Sequence, residues 1–290
     1  MPEYHTVLYD HVTPEIVRVA MNRPEVRNAQ DLQLTRDLND AFDHANQDDN
    51  VKVIILSGEG PHFNSGHGSG KSSTNLGYDD VRPVGTWANF NAEGAEGAMA
   101  REEEIFLQMC RRWRNLPKPM IAEVHGKTIA GGLMLAWVCD IIIASDDAEF
   151  RDLVVGWGIP GVEYFAHPWE FGHRLARQML YTGDWVSAQR CYEAGMVNEV
   201  VPRDELRDYV ETMAKNIAEK PSFGLKITKE AINQTQDHQG LWTAQQAVFM
   251  MHTLAHTHWR ELTGRGTYDG PGAPPHMGSR RPPEEVTASS

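Results

Sequence analysis

An α/β fold ending in an all-helical C-terminal third is predicted by two features of the chain. Short apolar runs at 51–56, 119–124 and 141–144 alternate with segments of helical periodicity. From Arg203 onward only helical periodicity remains, over 204–219, 221–236 and 241–263, punctuated by Lys220-Pro221 and Gly240.

In order along the chain, residues 15–21 (EIVRVAM) alternate apolar and polar side chains, and Asn22-Arg23-Pro24 closes that strand with a turn. Over 30–47, Leu32, Leu34, Leu38, Ala41, Phe42 and Ala45 fall at near-helical spacing, so a helix leads into the buried strand 51–56. The Gly-, Ser- and Asn-rich stretch 58–97, which holds Trp87 and Phe90, reads as a long functional loop of lid or binding-wall type. A helical segment at 101–113 follows, and strands at 119–124 and 141–144 bracket a helix at 131–138. These divisions predict a core over 1–202, a helical module over 203–263 and a tail over 264–290. The tail is rich in Gly, Pro and Ser and too poor in apolar side chains to order itself.

Composition narrows the partners. With 290 residues, 41% of them hydrophobic, the chain can bury one sizeable core. A formal charge of −13 argues against nucleic acid and anionic membrane surfaces, which demand an excess of Lys and Arg. Three widely spaced cysteines, Cys110, Cys139 and Cys191, with no CxxC pair, indicate neither a disulfide framework nor a zinc site. No apolar run has membrane-spanning or signal-peptide length, so the expected compartment is the cytoplasm.

Two Gly-bearing loops each follow an apolar strand. One runs from Pro61 through His62, Phe63, Asn64, Ser65, Gly66 and His67, the other from His125 through Gly126 to Gly131 and Gly132. Small residues let a ligand approach the backbone, and successive N–H groups suit an oxygen that gathers negative charge. By themselves such turns also serve plain chain reversal.

The surrounding motifs are more specific. Asn22-Arg23-Pro24 with Arg27-Asn28-Ala29, Phe63-Asn64-Ser65-Gly66-His67, and Lys118-Pro119 through His125-Gly126 come first. Ala130-Gly131-Gly132-Leu133, Cys139-Asp140-Ile141, Gly158-Ile159-Pro160-Gly161, Leu180-Tyr181-Thr182-Gly183-Asp184 and Ala194-Gly195-Met196-Val197-Asn198-Glu199 then follow in order. Over residues 8–235 the chain resembles the crotonase (enoyl-CoA hydratase/isomerase) superfamily. The resemblance implies a crotonase-like spiral of repeated ββα units with a helical C-terminal trimerisation module, assembled as a homotrimer or a dimer of trimers. It further implies an acyl-CoA substrate whose thioester oxygen lies between the N–H groups of His67 and Gly131. Coenzyme A is then part of the substrate, with no separate cofactor and no metal. For CoA the resemblance points to residues 23–29, with Arg27 near the phosphates or adenine and Ala29 beside it, to Ser65, Gly66 and His67 along the pantetheine channel, and to Lys229 or Lys226.

Two departures bear on the chemistry. The family's hydratases carry one glutamate just after the glycine turn and another about twenty residues on. Here those positions hold Met134 and Leu153 or Val154, none of which can move a proton. Glu163 follows the Gly158–Gly161 turn, where some superfamily members place an acid, and its aromatic and aliphatic neighbours in sequence predict a raised pKa suited to proton transfer. Asp152 is a second acid in that segment, catalytic or structural, and His167 lies four residues beyond Glu163, where a helix would let it orient the carboxylate, the alternative being a buried hydrogen-bonded histidine. His67 could act as base or nucleophile, or simply line the pocket. Of His252, His256 and His258 only the first two share a helix face, and metal binding would need a third ligand, so a packed or inter-subunit role is expected of them. The expected activity is that of an enoyl-CoA hydratase or isomerase. A CoA-dependent hydrolase, a C–C bond-cleaving homologue and a non-catalytic acyl-CoA-binding paralogue stay open beside it.

Overall fold

A hairpin opens the chain, with β1 (Val7–Thr13) and β2 (Ile16–Met21) antiparallel and Val7 opposite Met21. The computed structural model describes residues 3–67, 87 and 89–264. β2 then pairs in parallel with β3 (Val53–Gly58), β3 with β4 (Met120–Val124), β4 with β6 (Ile141–Ser145) and β6 with β9 (Glu199–Val201). A smaller sheet joins β5 (Lys127–Ile129), β7 (Glu149–Arg151) and β8 (Val186–Ser187).

Helices cover both faces of the large sheet, which is why its central strands read as continuous apolar runs. On one face Val17, Val19, Ile54, Leu56, Met120 and Ala122 join the main core with α1 (Leu32–Gln47), α3 (Met109–Arg114) and α4 (Gly131–Trp137). The alternate residues Ile16, Val53, Ile55, Ile121 and Ile143 pack on Leu206, Val210, Ala214 and Ala218 of α7 (Leu206–Ala218). α7 therefore completes the sheet's second face instead of belonging to a separate module, and the predicted boundary at 203 is no gap in the packing. Arg18, read as a polar outward position, is also buried. It donates to Glu123 Oε2 at 2.8 Å and to Glu211 Oε1 at 2.9 Å, tying β2 and β4 to α7.

Local chemistry sets the helix ends. Asp31 caps α1 by accepting from the N–H of Leu34 at 2.9 Å. α2 (Gly94–Glu102) starts inside the stretch read as loop and runs through a π-helical segment, Glu103–Gln108, into α3. Residues 68–86 and 88 of that loop, and 265–290 of the predicted tail, lie outside the described residues. After α5 (His167–Thr182) and α6 (Ala188–Ala194), the last two helices are α8 (Ser222–His238) and α9 (Leu241–Thr263). Leu241 and Phe249 enter the main core, whereas Phe223, Ile227, Ile232, Met251 and Leu254 are exposed. No helix of the described residues is long and apolar enough to cross a membrane.

Candidate active site

The two Gly-bearing loops lie against each other. Phe63 N–H donates to the carbonyl of His125 at 2.9 Å and Ile129 N–H to that of Asn64 at 3.0 Å, with Asn64 and Thr128 bridged in parallel. The approach is closest at the glycines. A Cβ on Gly66 would stand 2.8 Å from the Ile129 carbonyl oxygen and 3.4 Å from the Gly131 nitrogen, and one on Gly132 would stand 2.6 Å from the Asn64 oxygen. Ala130, the residue before α4, is held at φ 45° and ψ −110°, a conformation a non-glycine residue adopts only when its surroundings enforce it. Among the described residues neither the His67 nor the Gly131 N–H donates to a backbone carbonyl.

The rim of this site is formed by the turn after β2. Arg27 and Asn28 both take left-handed backbone conformations, at φ 56° and 55°. That turn presents the Arg27 carbonyl to Ser65 N–H at 3.1 Å and the Asn28 carbonyl to the Asn64 amide, while Gln30 N–H donates to the Gly66 carbonyl at 2.8 Å. Arg27, Ala29, Ser65 and Gly66 are thus gathered at one edge of the two loops, with the Arg27 side chain exposed.

Inside the rim, His67 Nε2 lies 2.9 Å from Glu163 Oε1. The imidazole stacks on Phe106 with ring centroids 3.8 Å apart and planes 22° apart, and its Nδ1 has no hydrogen-bond partner among the described residues. That nitrogen faces Gly131, where a Cβ would come within 2.0 Å of it. The predicted rise in the Glu163 pKa does not occur. Burial pushes it up, but His67 and His252 beside it, together with the His67 hydrogen bond, outweigh burial and hold it at about 2. Conversely, burial lowers the His67 pKa and the Glu163 charge more than offsets that, so it lies above its ordinary value. Each partner favours the other's charged form, the carboxylate by its negative charge and the imidazole by its hydrogen bond and positive charge.

Three other candidate residues are placed by their contacts. Asp152 is fully buried and accepts from the N–H groups of Val154 at 3.1 Å and Val162 at 3.3 Å, so it organises the loop that carries Glu163, the structural one of its two roles. His167 pairs with Asp152 at 2.9 Å, not with Glu163, because Glu163 precedes α5 and the two residues share no helix. Lys229 is an internal tie in place of the expected phosphate contact. Its Nζ donates to Asp140 Oδ2 at 2.8 Å and to the Lys118 carbonyl at 3.1 Å. Met134, at the first of the two departures, is buried and its sulfur takes the N–H of Tyr164 at 3.3 Å.

Phe106, stacked on His67, and Glu102, whose charge acts on the His67 imidazole, were not legible as site residues. Phe106 belongs to the π-helical segment and Glu102 immediately precedes it, and the wider turn breaks the 3.6-residue spacing by which faces are read.

The family model for enoyl-CoA hydratase/isomerase matches residues 12–81 and 88–270. A Mycobacterium tuberculosis protein named as an enoyl-CoA hydratase, EchA13, is 38% identical over 273 residues, covering 90% of this chain and 84% of its own. Crystal structures of probable enoyl-CoA hydratases from Mycobacterium smegmatis and Mycobacterium thermoresistibile each share 40% identity, covering 90% of this chain and 98% of theirs, at TM-scores of 0.79 and 0.80. A fold matched along nearly its whole length, and a family model that spans both glycine loops and the helical end, lead to one conclusion: this chain belongs to the enoyl-CoA hydratase/isomerase family, in the crotonase superfamily.

Proposed function

We propose that the chain is an acyl-CoA lyase or isomerase that polarises the thioester carbonyl with the N–H groups of His67 and Gly131 and moves a proton with the His67–Glu163 pair. The observation that carries this reading is the pair itself. It is a buried acid–base couple at 2.9 Å, and the His67 ring also lies against Gly131. Each preorganised N–H donor at an oxyanion is worth about 2.7–4 kcal/mol of barrier. A carboxylate held near 2 is a weak base at neutral pH, so His67 is the proton carrier and Glu163 the group that orients it and balances its charge. Nδ1, the ring nitrogen without a partner, is the one that meets substrate. Met134 and Leu153 then need no replacement at their own positions. Arg27 serves the CoA phosphates from the rim, and Ala29, Ser65 and Gly66 line the way in.

A second reading is supported by the same buried, unpartnered Nδ1. An imidazole oriented by a carboxylate on its far nitrogen is the arrangement that activates water or another nucleophile, as a hydrolase or C–C bond-cleaving homologue requires. Turnover assays on a panel of enoyl-CoAs, β-ketoacyl-CoAs and saturated acyl-CoAs separate the two. Hydration or double-bond shift supports the first, CoA release or chain cleavage the second, and tight binding without turnover defeats both in favour of a binding paralogue.

The working form is a homotrimer or a dimer of trimers in the cytoplasm. Exposed Phe223, Ile227 and Ile232 on α8 with Met251 and Leu254 on α9 support an assembly through these helices.

A further inference from the structure

His252 and His256 occupy one face of α9, four residues apart, and α2 packs on that helix. This brings the Glu102 carboxylate to the two imidazoles, the third ligand that the histidine pair alone lacked. His252 Nε2 and His256 Nε2 are 3.1 Å apart, Glu102 Oε2 is 3.9 Å from the first and Glu102 Oε1 is 3.7 Å from the second. Ligand atoms at the corners of a tetrahedron with bonds of about 2.0–2.1 Å stand ~3.3 Å from one another, and with one atom from each residue these three lie within 4.8 Å of one another, so a turn of the carboxylate toward the rings would enclose an ion here.

Two further observations favour a cation over a plain packing cluster. His252 Nδ1 lies 2.9 Å from the carbonyl of Gly161, which can only accept, so Nδ1 carries a proton and, once the ring has given up its second proton, the Nε2 lone pair points at His256 and Glu102. A backbone carbonyl that fixes the tautomer from behind is the usual support of a ligating imidazole. In addition, Glu102 Oε2 is shielded from solvent and has no hydrogen-bond partner among the described residues. Glu163 Oε1 stands 3.6 Å from His252 Nε2, so the fourth corner faces the carboxylate behind His67.

We propose that Glu102, His252 and His256 form a binding site for a zinc-type divalent cation, with its open position toward Glu163. Nitrogen and carboxylate oxygen donors suit zinc among the common divalent ions, and the charge of the ion balances the two carboxylates that converge there.

Calorimetric titration of chelator-stripped, full-length protein in its native assembly with ZnCl2 tests this. The expected result is one saturable site per chain, weakened at least about tenfold in Glu102→Gln and in His256→Ala. Glu102→Gln preserves shape at a partly exposed position, so it carries the test if His256→Ala fails to fold. No saturable binding, or a site that persists at wild-type affinity in a folded Glu102→Gln variant, overturns the proposal, the latter by placing zinc on other histidines.

Discussion

His67 Nε2 and Glu163 Oε1, 96 residues apart in sequence, meet at 2.9 Å beside the glycine that opens α4. The contact joins the first glycine loop to the segment after the Gly158–Gly161 turn, and both partners' charges depend on it.

Glu163→Gln removes the charge and keeps the shape. The expected loss in kcat is about 10²–10⁴-fold, with CoA-ester binding close to wild type. The pH–rate profile identifies the role. If Glu163 supports His67, the imidazole pKa falls in the variant and its limb moves to lower pH, whereas an unmoved limb contradicts that support.

Gly131→Ala should disable the site by steric means alone, since the new Cβ would lie 2.0 Å from His67 Nδ1 in a ring stacked on Phe106. The ring must leave Glu163, and activity should fall by at least about a hundredfold, the order of a lost acid–base group. The thermal stability lost in Gly131→Ala should be largely restored in Gly131→Ala combined with His67→Ala. An unrestored double variant would place the clash elsewhere.

The pair also makes stability depend on pH in a definite window. Glu163 is lowered from 4.5 to about 2, so its contribution is present above 4.5 and lost as pH falls toward 2. His67 is raised above 6.5, so its contribution is full below 6.5 and lost as pH rises through the raised value. In chelator-containing buffer, the melting-temperature gap between wild type and Glu163→Gln should therefore be widest between pH 4.5 and 6.5 and narrow on both sides. A gap constant from pH 3 to 9 contradicts the ionised pair.

Replacing Phe223, 74% exposed, and Leu254, 67% exposed, with Glu should leave the fold intact and break the assembly. Light scattering checks this: a wild-type trimer or hexamer should become monomeric in the double variant, and a monomeric wild type removes the proposed interface.

Much of this architecture was legible in sequence because its physics is local. The strands at 51–56, 119–124 and 141–144 are buried on both faces and so appear as unbroken apolar runs, and the helices over 30–47 and 241–263 keep their period because one face packs. Glu163 and His67 could each be singled out by their neighbours. Their contact could not, since it depends on how the 152–167 loop is tied through Asp152, a tertiary arrangement with no periodic trace. The inferred rise in the Glu163 pKa failed for the same reason: the apolar neighbours were readable, but the two imidazoles that reverse the shift arrive from loop and helix far along the chain. Lys229 was misplaced because a lysine on an amphipathic helix carries no sign of whether it turns outward or, as here, inward to Asp140.

Exchange of acyl-CoA α-protons in deuterated water, followed by NMR with wild type and His67→Ala, tests most directly whether His67 moves the proton at a polarised thioester. The expectation is catalysed exchange by the wild type and a loss of at least about a hundredfold in His67→Ala, with acyl-CoA affinity changed little because the backbone donors remain. Exchange at an unchanged rate in His67→Ala, or none above background in the wild type on any ester that it binds, would contradict the account.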